Sequence, residues 1–274
     1  MDAAADGRSS GADEGLPPFS VRLHRWFMAY VRRSMRRHFH GLRILADGAD
    51  GRGHPDLGGE PALLYTNHPG WWDPLVFFTV ADTLWPGRKN YGPIDAAALE
   101  KYRFLGRIGL VGIEPGPRRG AARFLRDARA AGRRGDVIFW VTAQGEFADP
   151  RDRPVVMRPG VAHAAAANDR GVVVPVAVEY PFWSERLPEA LVAFGTPIPM
   201  GQGRDPRAWE VLLADRLEAT QDALAAAART RDPALFRTLL DGTTGVGFFY
   251  DLGRRLRAWA RGQRFDPSHG GSRR

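Results

Sequence analysis

Residues 62–74 read Ala62-Leu63-Leu64-Tyr65-Thr66-Asn67-His68-Pro69-Gly70-Trp71-Trp72-Asp73-Pro74. The apolar run from Ala62 to Thr66 suits a buried strand, and Pro74 suits the first turn of a helix that continues to Val80. Between them a histidine leaves the strand, and an aspartate follows five residues later. On a regular helix five residues turn through about 140°, so the two side chains would not share a face. Pro69 and Gly70 make the connection irregular and let the carboxylate fold back towards the imidazole. There it would fix the tautomer and stabilise the imidazolium, as an orienting acid does for a general base. The same residues also suit a purely structural role, with His68 capping the turn and Asp73 capping the helix.

Further continuous apolar, β-branched runs at Asp136–Thr142, Val172–Val178 and Leu191–Phe194 carry the pattern of buried strands. Helical periodicity separates them, at Pro74–Val80, Ala96–Tyr102, Arg119–Ala131, Val161–Ala167 and Trp209–Ala228. This alternation predicts an α/β fold with a single largely parallel sheet flanked by helices. Upstream, Leu42–Ala46 reads as a short strand, followed by a Gly-rich turn over 47–59. Over Phe19–His40, Leu23, Trp26, Phe27, Tyr30 and Val31 recur at helical spacing among Arg22, Arg25, Arg32, Arg33, Arg36 and Arg37, which predicts a basic amphipathic helix. Downstream, Phe236–Leu240 and Phe248–Ala260 read as a C-terminal helical appendage. The expected organisation is a disordered leader over 1–18, an amphipathic membrane-surface helix over 19–45 and the main α/β domain over 46–230. C-terminal helices over 231–262 and a disordered tail over 263–274 complete it.

A length of 274 residues suits one sizeable domain and one active site, and 44% hydrophobic with 26% charged residues is the balance of a globular protein. The absence of cysteine excludes disulfides, thiolate zinc sites and cysteine nucleophiles. The seven histidines show no metal-ligand spacing, so no metal is expected. No Gly-x-Ser-x-Gly motif accompanies His68, which implies a nucleophile supplied by the substrate. A formal net charge of +8 favours an anionic partner. Nucleic acid is not expected, because no RNA motif, helix-turn-helix signature or zinc module is present. An anionic membrane surface suits the basic helix, whose arginines each add about 1 kcal/mol near such a surface. With no run of about eighteen apolar residues, and residues 1–15 unlike a signal peptide, a cytoplasmic protein bound peripherally to the membrane is expected.

Asn67-His68-x-x-x-x-Asp73 in a strand-to-helix turn resembles the signature of the glycerolipid acyltransferase family, the 1-acyl-glycerol-3-phosphate and lysophospholipid acyltransferase type. Other blocks stand in that family's order over roughly residues 60 to 180. Gly109–Glu114 with Arg118 and Arg119 is similar to its second block, where an arginine meets the acceptor's phosphate. Phe139–Phe147 stands at its third, Phe-Pro-Glu-Gly-Thr-Arg, with Gln144 in place of glutamate and Phe147 in place of arginine. Val174–Val178, containing Pro175, is similar to its fourth, Val-Pro-Val-Ala.

The resemblance implies that 46–230 is an acyltransferase domain of glycerolipid-acyltransferase-like fold. It implies transfer of a fatty acyl group from acyl-CoA or acyl carrier protein to a hydroxyl of a lysophospholipid or related lipid, with no acyl-enzyme and no further cofactor. His68 would be the base and Asp73 its orienting partner. Asn67, Trp71, Trp72, Arg118, Arg119, Gln144, Gly145, Glu146, Phe147 and Pro175 would bind substrate. Phenylalanine cannot replace an arginine in bidentate phosphate binding, although Arg118, Arg119, Arg151 or Arg153 could approach the same ligand. A neutral glycolipid or hydroxylated isoprenoid, met by Glu146, is therefore the alternative acceptor, and a non-catalytic lipid-binding relative is the second alternative.

Overall fold

The computed structural model of the chain describes residues 15–46, 51–114 and 116–243. Helix α1 (Val21–His38) leads to strand β1 (Gly41–Leu45) and, after a long connection, to β2 (Ala62–Thr66) and α2 (Asp73–Leu84). Strand β3 (Lys89–Asp95), helix α3 (Ala96–Lys101), a 3-10 turn (Arg103–Ile108), β4 (Leu110–Ile113), α4 (Pro117–Gly132) and β5 (Val137–Thr142) follow. The chain continues through α5 (Gly160–Ala166), β6 (Val172–Glu179), β7 (Glu189–Phe194), β8 (Ile198–Pro199), α6 (Pro206–Thr230) and β9 (Phe236–Asp241). The strands form one sheet in the order β4-β3-β5-β2-β6-β7-β1-β9, with β8 paired to the start of β6. From β4 to β6 all neighbours are parallel. β7 is antiparallel to β6, β1 parallel to β7, and β9 antiparallel to β1. The architecture is therefore α/β, one mostly parallel mixed sheet flanked by helices.

The central strands are apolar throughout because helices cover both of their faces. Leu64, Trp140, Val174 and Val176 meet α1 and α2 on one side. Leu63, Tyr65, Phe139 and Val173 meet α4, α5 and α6 on the other, where Trp209, Leu213 and Leu217 are buried. Parallel strands share a direction, so the loops after β2, β3, β4, β5 and β6 emerge at one edge of the sheet, where α/β folds place their sites.

Ser20 caps α1 by accepting from Leu23 N–H, and Arg36, Arg37 and His38 sit in its last turn, where positive charge suits the helix dipole. His24, Met28, Val31 and Met35 face inward, and the helix packs on α2 with Leu23 and Phe27 at the margin. The helix is thus part of the fold, and the stripe read from the sequence divides: Val31 is buried while Trp26 and Tyr30 face outward.

Three expectations need correction. Phe236–Leu240 is not helical but lies in β9. A bulge opposite Leu42 and Arg43 leaves Leu239 as an extra residue, so Phe236 packs towards α6 and Leu240 towards α1. Apolar residues at 236, 239 and 240 mimic helical spacing for that reason. The leader does not extend to Pro18: Leu16 is 5% exposed, packed in the core beneath α4, and Pro17 O accepts from Tyr91 Oη at 2.9 Å. β3 was not anticipated, because Asn90, Gly92 and Pro93 are poor strand residues. The expectations for 1–14, 248–260 and 263–274 lie outside the described residues. Among the described residues no helix is long and apolar enough to cross a membrane.

Candidate active site

Where β2 ends, Asn67 extends its ladder with a side chain. Its Nδ2 donates to Val178 O at 3.0 Å and its Oδ1 accepts from Val178 N–H at 2.8 Å, and the residue is fully buried. Asn67 therefore bonds the ends of β2 and β6 together. The expectation that it binds substrate is corrected, since both amide groups are engaged. His68 leaves the sheet from this fixed point. Its N–H donates to Gln144 Oε1 at 2.8 Å and its carbonyl accepts from Ala148 N–H at 3.1 Å, so the loop after β5 holds the His68 backbone from both sides.

Asp73 is the first residue of α2 and is fully buried. Its Oδ2 lies 2.5 Å from His68 Nδ1 and also accepts from Gly70 N–H at 3.2 Å. Its Oδ1 accepts from the Tyr180 hydroxyl, on the loop after β6. Burial, together with the adjacent Asp73 carboxylate and this hydrogen bond, pushes the Tyr180 phenol well above its ordinary value, so it stays a donor. With Nδ1 on Asp73, His68 Nε2 is left without a partner among the described residues, and the imidazole is 18% exposed. That is the arrangement of a base whose free nitrogen faces a reactant. The sequence reading did not identify Tyr180, which stands two residues after Val178 with no motif to mark it.

The remaining expected residues divide. The Phe147 ring lies 4.6 Å from that of His68, tilted at 58°, and Trp71 is exposed, edge-on to Trp72. Trp72 packs inward against His38 and Phe39 at 4.8 and 5.1 Å. Glu146 is exposed, and Gly145 takes φ +69°, with its N–H bonded to Thr142 O at 3.2 Å. Pro175 lies buried inside β6 against Gly195. Gly195 N–H donates to Pro175 O, so the amide that proline lacks faces the β7–β8 connection and no strand.

Among the cations, Arg118 and Arg119 are exposed on the first turn of α4. That helix follows β4, three positions from β2, so the strand axes lie about 14 Å apart. Arg151 is paired with Asp149 and Arg153 with Asp222, so neither is free for a ligand. Arg158, not anticipated, has no side-chain partner among the described residues. Its Nε would lie 2.3 Å from a Cβ on residue 145, so the guanidinium passes directly over Gly145, next to Gln144.

Under α2 lies an apolar cavity of about 90 Å³, lined by Pro74, Phe77, Phe78, Gly92, Trp140 and Thr142 among others. Its origin is in the sheet. β3 pairs with β5 only over Lys89–Tyr91 and then turns to β4 over Gly92–Asp95, which opens a gap beside Trp140 and Thr142 roofed by α2. Its lining includes Pro74, the residue after Asp73, and Thr142, two residues before Gln144. Among the described residues no group of three or more His, Asp or Glu side chains converges.

Neither a family model nor a curated protein matches this chain.

Proposed function

We propose that this chain is an O-acyltransferase working at a membrane surface, moving a fatty acyl group from acyl-CoA or acyl carrier protein onto a hydroxyl of a lysophospholipid or related lipid. The observation that carries this reading is the chain of hydrogen bonds Tyr180–Asp73–His68, which ends on a free Nε2, with an apolar cavity starting at Pro74, the residue after Asp73. His68 Nε2 takes the acceptor hydroxyl's proton while that oxygen attacks the thioester carbonyl. The C–S bond of the tetrahedral adduct then breaks, and the imidazolium returns its proton to the departing thiolate. Asp73 holds the ring and stabilises its charge. The Gly70 and Gly145 amides are engaged within the protein, so the oxyanion would be met by the amide of Trp71, which has no acceptor among the described residues. The cavity supplies apolar walls for the acyl chain next to the carbonyl. A peripheral position on the cytoplasmic face of an anionic membrane suits the outward arginines of α1.

A second reading, a neutral glycolipid or hydroxylated isoprenoid acceptor, is favoured by the phenyl ring of Phe147 over His68. The unpaired Arg158 favours a phosphate-bearing acceptor instead. Thiol release from palmitoyl-CoA with a panel of acceptors tests both. Acceptor-dependent release by the wild type should fall about 10²- to 10⁴-fold in His68→Ala. Arg158→Gln should raise KM for a phosphate-bearing acceptor by about tenfold or more, the scale of one charged hydrogen bond, and far less for a monoacylglycerol. A His68→Ala enzyme retaining most of the wild-type rate would sink the mechanism. No release with either donor class would leave a lipid-binding protein.

A further inference from the structure

Three of the most exposed aromatic side chains lie at the edge of the sheet that carries His68. Trp71 is 67% exposed, Phe147 62% and Phe182 64%. They sit on the loops after β2, β5 and β6, which are adjacent strands in the sheet. Each is tied to the candidate site. Phe147 packs against His68 with its ring tilted, and Trp71 follows Gly70, whose amide bonds to Asp73. Phe182 follows Tyr180 by two residues, at most about 7.6 Å between Cα atoms, and Tyr180 holds Asp73. Beyond the ring contacts of Phe147 with His68 and of Trp71 with Trp72, most of this aromatic surface is open to solvent, and patches of this kind mark surfaces that meet something apolar.

Its charge identifies the partner. The last turns of α1 reach the same edge, since His38 packs on Trp72 at 4.8 Å. Arg33, Arg36 and Arg37 are exposed there, with no ion-pair partner among the described residues. Opposing charges on these loops are Glu146 and Asp152, both exposed, and the half-buried Glu179 at the end of β6, while Asp149 is already paired with Arg151. Aromatic side chains prefer the headgroup boundary, where an apolar body and a polar surround are both satisfied, and arginines beside them meet anionic lipid.

We propose that this edge of the sheet, through Trp71, Phe147 and Phe182 flanked by Arg33, Arg36 and Arg37, is the surface that docks on an anionic lipid bilayer, so that His68 opens directly onto the membrane. Trp26 and Tyr30 share the helical face of Arg33 and Arg37 but lie further back along α1, Tyr30 about 12 Å from His38 at the edge, and so stand outside the contact. The inference deepens the proposed function by fixing how the enzyme meets its lipid, and it rests on that reading only for the identity of the acceptor.

The chain contains no cysteine, so single sites can be labelled without background. Full-length protein carrying an environment-sensitive dye at Phe182→Cys, and separately at Tyr30→Cys, is mixed with phosphatidylcholine vesicles with and without phosphatidylglycerol. The dye at 182 should shift to the blue and be quenched by a lipid-phase quencher, on anionic vesicles most strongly, while the dye at 30 stays in water. Replacing Arg33, Arg36 and Arg37 by Gln should weaken binding to anionic vesicles roughly a hundredfold at low salt. The proposal is overturned if the dye at 30 enters the lipid and that at 182 does not, if neither reports vesicles, or if only an acidic carrier protein shifts the dye at 182. No turnover is needed for any of these readings. Vesicle docking by a protein that transfers no acyl group would therefore sustain this proposal while removing the proposed reaction.

Discussion

Asp73 accepts from three donors, His68 Nδ1, Gly70 N–H and the Tyr180 hydroxyl, and it has no exposure to water. A buried carboxylate in that position keeps one orientation, and the imidazole inherits it. Tyr180→Phe leaves one lone pair of Asp73 unsatisfied in the interior, at a cost of about 1–3 kcal/mol. We expect the fold to survive with a lower melting temperature and kcat to fall roughly tenfold, because the carboxylate can then rotate away from Nδ1. Steady-state kinetics beside a circular-dichroism melt checks this; a variant with wild-type kcat would reduce Tyr180 to a packing residue. The pair His68 and Asp73 was legible in the sequence through the family motif it resembles, the proline and glycine between them permitting the bend while leaving a purely structural role open. Tyr180 was not legible, since its role depends on β6 lying beside β2, a pairing of residues more than a hundred positions apart. For the same reason Asn67 read as a ligand-facing amide, although its partner Val178 is the backbone of that neighbouring strand.

At the scale of elements, legibility follows the environment each strand occupies. β2, β5 and β6 have helices on both faces and read as unbroken apolar runs. β3 changes partners at Gly92, where a Cβ would meet Trp140 O at 3.0 Å, and its second half pairs on one side only, which tolerates Pro93. That change of partner is also what opens the cavity, so the residues that hid the strand are the ones that shape the site. Helix α1 was legible in its period but not in its partner. Asp82 of α2 clamps it, lying 3.3 Å from His24 Nε2 and accepting from Arg32 Nη2 at 2.7 Å. The His24 hydrogen bond, with Arg32 beside it, holds the Asp82 carboxyl below its ordinary value against the opposing effect of burial. A depressed folded value adds stability above the unfolded value of about 3.9, and that stability is lost as pH falls through the folded value. Asp82→Asn should cost roughly 1 kcal/mol at neutral pH, the low end for a charged hydrogen bond because Asp82 is 31% exposed. It should also flatten the fall of melting temperature below about pH 4. An unchanged acid limb would show that the clamp does not hold α1 in place.

Across the whole molecule, the far side of the sheet is closed by a second polar knot. Glu189, at the start of β7 and almost fully buried, lies 2.5 Å from His40 Nδ1 and accepts from Arg43 Nε at 3.0 Å. Arg43 continues to Thr238 Oγ1 on β9, so one carboxylate ties together β7, β1 and the last strand. The hydrogen bond to Glu189 raises the His40 imidazole above its ordinary value, outweighing its burial and the nearby Arg43. Here the sign is opposite to that of Asp82. A raised folded value gives stability that is complete below the unfolded value of about 6.5 and is lost as pH rises through the folded value. With Asp82 eroding stability on the acid side and His40 on the neutral-to-alkaline side, the melting temperature should peak in mildly acidic solution, between about pH 4 and pH 6.5. His40→Gln retains a donor towards Glu189 but gains no proton, so it should lower the peak and remove the decline above it while leaving the acid limb as in the wild type. Melting curves of the two proteins across this range give the slopes directly. If the decline above pH 6.5 persists unchanged in His40→Gln, the sheet edge is held by Arg43 and Glu189 alone and the titrating group lies elsewhere.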